Sequence, residues 1–158
     1  MKILVTGATS GLGRNAVQYL LQSGESVVAT GRNCEVGRSL TNAGAQFVAL
    51  DLTEASEDDC ARLMDGCDAV WHCAAKSSPW GDKTAFWLAN VKVTHTLAQA
   101  AGRLNIPRFI HISTPAVYFD FQHHNDLPET YLARAFSSHY ASSKYAAEQV
   151  IAGAVSRY

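Results

Sequence analysis

Tyr140 and Lys144 stand four residues apart in Tyr140-Ala141-Ser142-Ser143-Lys144. On a helix that spacing puts both side chains on one face. A lysine ammonium beside a phenol stabilises the phenolate and draws its pKa below the usual value of about 10. Such a tyrosine takes a proton from an alcohol as general base, or gives one to a carbonyl as general acid. Alone, the spacing is common and describes any exposed helix pair. A second group of residues gives it context. Thr6-Gly7-Ala8-Thr9-Ser10-Gly11-Leu12-Gly13 lies between an apolar strand and a helix with an apolar stripe. A helix N-terminus offers free N–H groups to an anion, and glycines let a pyrophosphate reach them. Gly7 suits the tight turn, Gly11 the close approach, and Gly13 close packing of helix on strand. Thr9, Ser10 and Leu12 complete the loop and are expected against the same ligand, a dinucleotide.

These groups need a frame. The 158 residues suit one domain, residues 1–158. Apolar strands are expected at Lys2–Thr6, Ser26–Thr30, Gln46–Leu50, Asp68–Cys73 and Arg108–Ile112. Helices are expected at Gly11–Ser23, Glu35–Asn42, Ser56–Met64, Thr84–Leu104 and Ser138–Ser156. Gly24 and Gly44 stop the first two, and Pro107 follows the fourth. That fourth helix should turn Leu88, Val91, Thr94/His95 and Ala98 to one face. The stretch Thr114–Ser137 has little periodicity, and a loop of that length is functional or disordered. Alternation of this kind implies an α/β fold, a Rossmann-type doubly wound parallel sheet with right-handed crossovers. The expected strand order is 3-2-1-4-5, with the ligand at the carboxyl ends where the order reverses.

The end of the second strand reads Ala29-Thr30-Gly31-Arg32. A site for NAD usually places Asp or Glu here, on the ribose hydroxyls. Gly31 stands in that place. The Arg32 guanidinium suits a 2′-phosphate, which favours NADP over NAD.

Bulk properties exclude other classes. With a net charge of −1 and no basic run, nothing draws the chain to nucleic acid or an anionic membrane. No apolar run is long enough to span a bilayer, and the glycine loop occupies the positions a signal peptide would need. Cys34, Cys60, Cys67 and Cys73 form no C-x-x-C pair and no zinc pattern. They read as reduced thiols of a cytoplasmic protein, with Cys73 a buried structural thiol.

Thr-Gly-x-x-x-Gly-x-Gly followed by Tyr-x-x-x-Lys resembles the short-chain dehydrogenases/reductases. The chain as a whole resembles their extended branch, the NAD-dependent epimerases/dehydratases and 3β-hydroxysteroid dehydrogenase-like enzymes. That branch more often spaces its glycines Thr-Gly-x-x-Gly-x-x-Gly, so the loop here departs from it. The resemblance assigns several further residues. Asp51-Leu52 matches the pair that binds adenine, although Asp51 also suits an N-cap for the next helix. His72-Cys73-Ala74-Ala75 matches a His-x-Ala-Ala segment in which Ala74 and Ala75 pass under the cofactor. His72 itself reads as a packed strand residue. Asn90 matches an asparagine that helps hold the active-site lysine and a water. Counting back from Val117-Tyr118 puts Thr114 at the catalytic hydroxyl that steadies charge on the substrate oxygen, with Ser113 as its substitute. Tyr140 and Lys144 would then touch both the substrate and the cofactor.

The implied activity is hydride transfer between a nicotinamide cofactor and a carbinol or carbonyl carbon of a small molecule. Two alternatives are an epimerase or dehydratase with transient oxidation, and a non-catalytic dinucleotide-binding regulator, which would typically lack the Tyr–Lys pair. The resemblance also implies a homodimer through the Thr84–Leu104 and Ser138–Ser156 helices. Relatives continue into a small C-terminal substrate domain, which is expected to be absent from these 158 residues. Little turnover is expected without it.

Overall fold

The structure is a computed structural model that describes residues 1–155 and 157. Five strands form one parallel sheet: β1 (Lys2–Thr6), β2 (Ser26–Gly31), β3 (Gln46–Ala49), β4 (Ala69–His72) and β5 (Phe109–His111). Their order is β3-β2-β1-β4-β5, as expected. Leu4 is the register centre, opposite Val28 on one side and Val70 on the other.

Side chains alternate across β1, so each face of the sheet acquires its own core. Ile3, Val5, Val27 and Ala29 pack on one side against Val17 and Leu20 of α1 (Gly11–Gln22) and Leu40 of α2 (Cys34–Asn42). Leu4, Val28 and Val70 pack on the other. There they meet Leu63 of α3 (Glu57–Leu63), the adjoining Met64, and Leu97 and Ala101 of α5 (Val93–Arg103). Burial on both faces explains why β1 and β2 read as unbroken apolar runs. Gly24 and Gly44 end their helices with φ of +79° and +108°, backbone that favours glycine.

Most boundaries lie within a residue or two of expectation. Ser56 caps α3 by accepting from Asp59 N–H, and the Asp59 carboxylate accepts from Ser56 N–H, a capping box. The N-cap reading of Asp51 is therefore corrected: Ser56 holds that position. The last helix, α6, spans His139–Val155. Its expected final residue, Ser156, lies outside the described residues.

The long fourth helix differs in kind. It runs as α4 (Lys83–Phe86), a π-helical segment over Trp87–Lys92, and α5. A π turn holds more residues than an α turn, so it rotates the faces before and after it relative to each other. The expected stripe of Leu88, Val91, Thr94/His95 and Ala98 is thereby broken. Asn90, Val93, Thr94, Leu97 and Ala98 are buried, whereas Leu88 and His95 are exposed.

The segment Thr114–Ser137 also has more order than its sequence shows. Pro115–Tyr118 forms a 3₁₀ turn capped by Thr114. Beyond it the Tyr131 hydroxyl donates to Asp120, and His124 Nε2 lies 2.9 Å from the same carboxylate.

Candidate dinucleotide site and catalytic helix

A cleft of about 510 Å³ opens at the carboxyl ends of the strands, against the turn from β1 into α1. Gly7, Thr9, Ser10, Gly11, Leu12 and Gly13 all line it. Gly7 and Gly11 have φ of +64° and +49°. A Cβ on Gly13 would lie 2.3 Å from the Gly7 carbonyl oxygen, and one on Gly7 would lie 2.8 Å from Ala74 Cα. Both glycines are therefore fixed by backbone contact. Around Gly11 nothing lies within 4 Å of a Cβ, so its face toward the cleft is open. Ser10 is the N-cap of α1, yet its side chain makes no capping bond, and the first turn carries no acid. The helix end thus keeps free donors and the positive end of its dipole for an anion. This cradle fits the pyrophosphate of a dinucleotide.

One end of the cleft is built from the residues that follow β2 and β3. Gly31 leaves room that the Thr9 side chain occupies, 2.7 Å from where a Cβ would stand. Arg32 is exposed, with Nη1 3.8 Å from Asp51 Oδ2. Asp51 Oδ1 accepts from Thr53 N–H at 2.9 Å and Thr53 Oγ1 at 2.7 Å. The Thr53 hydrogen bonds, with a smaller contribution from Arg32, hold this carboxyl below the usual range. Arg32, Asp51 and Leu52 all line the cleft, as do Ala74 and Ala75 beyond β4. Cys73 lines it too, half-buried rather than fully buried, and burial pushes its thiol up to about 11. Such a thiol stays protonated and unreactive near neutral pH.

Thr114, Tyr140, Lys144 and Asn90 are not among the residues that line this cleft. Ala85, Leu88 and Ala89 line it, and the neighbouring Phe86 ring packs 6.4 Å from the Tyr140 ring. Leu88 is exposed because it faces the cleft. Lys144 is buried, and its Nζ donates to the Ile112 carbonyl rather than to the Tyr140 hydroxyl. Burial draws its pKa down to about 8, opposed by Glu148 and Cys73. His111 Nε2 lies 3.5 Å from the same ammonium. Burial, then Lys144, lowers His111 to about 4. His111 Nδ1 is buried without a partner.

Asn90 makes no direct hydrogen bond to Lys144. Its Oδ1 accepts from Lys76 N–H at 2.7 Å, and its Nδ2 donates to the Lys76 carbonyl and to Ser143 Oγ. The π turn has moved Asn90 inward, where it joins the strand loop to α6. Ser113 is no free substitute for Thr114, because its hydroxyl donates to Glu148. The Thr114 hydroxyl accepts from Ala116 N–H at 3.3 Å and keeps its own proton for another partner. Thr6, His72 and Thr94 form a chain of buried polar groups that the sequence does not mark as working residues. Their only signal is polarity inside apolar runs.

Comparison with known proteins gives the family. Residues 3–158 match the profile of the NAD dependent epimerase/dehydratase family. The chain is 50% identical over 151 residues to the uncharacterized protein YbjS of Escherichia coli (strain K12), covering 96% of this chain and 45% of that one. It is 34% identical over 150 residues to the 2-alkyl-3-oxoalkanoate reductase of Shewanella oneidensis, covering 93% of this chain and 37% of the reductase. A crystal structure of UDP-glucuronic acid 4-epimerase from Bacillus cereus, in complex with UDP-glucuronic acid and NAD, superposes with a TM-score of 0.88 at 28% identity. That superposition covers all of this chain and 53% of the epimerase. The chain thus spans about half the length of these relatives or less. A parallel sheet in the order 3-2-1-4-5, an uncapped glycine-walled helix end at its switch point and a profile match over nearly every residue agree: the chain belongs to the NAD dependent epimerase/dehydratase family.

Proposed function

We propose that this chain is the dinucleotide-binding and proton-transferring part of an NAD(P)-dependent oxidoreductase acting on a carbinol or carbonyl carbon of a small molecule. The observation that carries the reading is the open N-terminus of α1, walled by Gly7 and Gly13 and opening on the cleft. A bound nicotinamide supplies the hydride acceptor or donor. The protein's own residues bind, orient and move the proton. Tyr140 exchanges a proton with the substrate oxygen, Thr114 donates a hydrogen bond to that oxygen, and the buried Lys144 ammonium favours the phenolate.

A net reductase or dehydrogenase is the preferred form, because a relative at 34% identity is a 2-alkyl-3-oxoalkanoate reductase. The similarity to UDP-glucuronic acid 4-epimerase favours transient oxidation as the second reading. Product analysis separates them: net consumption of the dinucleotide marks the first, and a changed stereocentre without it marks the second.

NADP is the proposed preference. Gly31 leaves β2 without a terminal carboxylate, and Arg32 is exposed and only loosely paired. Calorimetric titration of both dinucleotides at fixed salt tests this. Tighter binding of NADP(H), lost selectively in Arg32→Ala, is the expected result; equal or tighter NAD(H) binding rejects it. Self-association through α5 and α6 is proposed as well. It is supported by an apolar groove of about 360 Å³ lined by Ala98, Ala101, Ile106 and Ile151. Sedimentation at micromolar concentration showing only monomer would count against it. No helix among the described residues is long and apolar enough to cross a membrane.

A further inference from the structure

The hydrogen bonds around His72 run in one direction. The Asn90 carbonyl only accepts, so the Thr94 hydroxyl, 2.7 Å away, donates to it. With its proton used there, Thr94 Oγ1 accepts from His72 Nε2 at 2.9 Å. His72 Nε2 therefore carries the ring proton, and Nδ1 is the acceptor. Thr6 Oγ1 lies 2.7 Å from Nδ1, donates to it, and accepts from Ala74 N–H at 3.1 Å. An ordered chain thus runs from Ala74 through Thr6, His72 and Thr94 to Asn90. Both of its ends touch working parts of the molecule. Ala74 lines the cleft and abuts Gly7. Asn90 Nδ2 donates to Ser143 Oγ at 2.9 Å, and Ser143 Oγ donates to the Tyr140 carbonyl at 2.8 Å.

We propose that His72 is a positioning residue that ties the Ala74 wall of the cleft to the π turn bearing Asn90, and through Asn90 and Ser143 sets the place of Tyr140. The proposal rests on the reading of Tyr140 as the proton-transfer group. An apolar residue would fill the same volume. It would leave the Thr6 and Thr94 hydroxyls without the partner that orients them, in a place where water does not reach. The Thr94 hydroxyl bonds the carbonyl at i−4, and His72 holds that hydroxyl from the sheet side.

The test uses nitrogen-15 NMR and dinucleotide titration on this chain. Ring nitrogen shifts should show His72 as the Nε2–H tautomer. Thr94→Val cuts only the arm toward Asn90. It should move the Asn90 side-chain amide and the Ser143 and Lys144 backbone amides, while the dissociation constant stays within about two-fold. Thr94→Ser should restore the spectrum. His72→Leu should move the same signals and also weaken dinucleotide binding roughly ten-fold, because Thr6 loses its acceptor. If His72→Leu does not fold, the two Thr94 variants carry the test. Unmoved Asn90 and Ser143 signals in Thr94→Val would overturn the proposal, as would the Nδ1–H tautomer. Failure of the wild-type chain to bind either dinucleotide rejects the oxidoreductase reading instead, and the Asn90 comparison still decides the role of His72.

Discussion

At the scale of single residues, the phenol of Tyr140 is the group whose removal is most informative. Tyr140→Phe deletes one oxygen from a half-buried ring that packs on Phe86. In a full-length version that carries the substrate domain, dinucleotide affinity should survive while turnover of an alcohol or carbonyl substrate is lost, as a coupled absorbance assay would show. Near-normal turnover would remove the central claim. Thr114→Ser keeps the hydroxyl and should be tolerated; Thr114→Val should slow turnover roughly ten-fold to a thousand-fold. The buried bases make a separate prediction about stability. Burial, then His111 and Lys144, holds His72 well below the usual histidine range, and burial holds His111 at about 4. The unfolded chain takes up protons on both rings near pH 6.5, before the folded one does, so stability falls as pH drops below that value. Each ring contributes a slope of about 1.4 kcal/mol per pH unit. Lys144, lowered to about 8, adds a slope of the same sign in a higher window: stability rises as pH climbs from there toward its ordinary 10.5. Urea midpoints between pH 7.5 and 5 measure the acid limb, and a flat line there would contradict it.

At the scale of elements, the glycines separate into those held by backbone contact and those that are free. Gly13→Ala places a methyl 2.3 Å from the Gly7 carbonyl oxygen. It should destabilise the fold by about 1–3 kcal/mol and abolish measurable dinucleotide binding. Gly153, inside α6 with nothing within 4 Å, should behave oppositely. Gly153→Ala should stabilise by about 0.5–1 kcal/mol, and thermal melts of the two variants would move in opposite directions. The same division explains what the sequence discloses. Strands such as Ser26–Gly31 and stops such as Gly24 follow from local residue type, so their places were legible. The π segment was not, because a 3.6-residue period was assumed for all of Thr84–Leu104. That assumption grouped Leu88 with the core and hid Asn90 from it. Partners far apart in sequence were equally hidden. Nothing near Ser113 announces Glu148, and nothing near Asn90 announces Ser143. The glycine loop and the Tyr–Lys spacing could be read because their chemistry is local; the part that Ala85, Leu88 and Ala89 play in lining the cleft appears only when the helix is folded.

At the scale of the molecule, the loop at residues 6–13 follows β1 at the centre of the sheet, and the helix at residues 139–155 meets the residues just past β5 through Lys144 and the Ile112 carbonyl. The polar chain through His72 crosses between them, inside layers otherwise filled with apolar side chains. The open end of α1 has a consequence for the lifetime of the protein. A helix without a side-chain cap lacks a device usually worth about 1 kcal/mol, and in the proposed function a ligand phosphate would stand in for it. The folded state would then be finished only when a metabolite is present. Saturation at a hundred times the dissociation constant adds about 2.7 kcal/mol to the free energy of unfolding. For a domain of this size each kcal/mol raises the melting temperature by roughly 2–4 °C, so differential scanning fluorimetry should show a clear upward shift with the preferred dinucleotide and a smaller one with inorganic pyrophosphate. A cell that runs short of that dinucleotide would hold this protein in its more fragile form, and proteolysis would remove it faster.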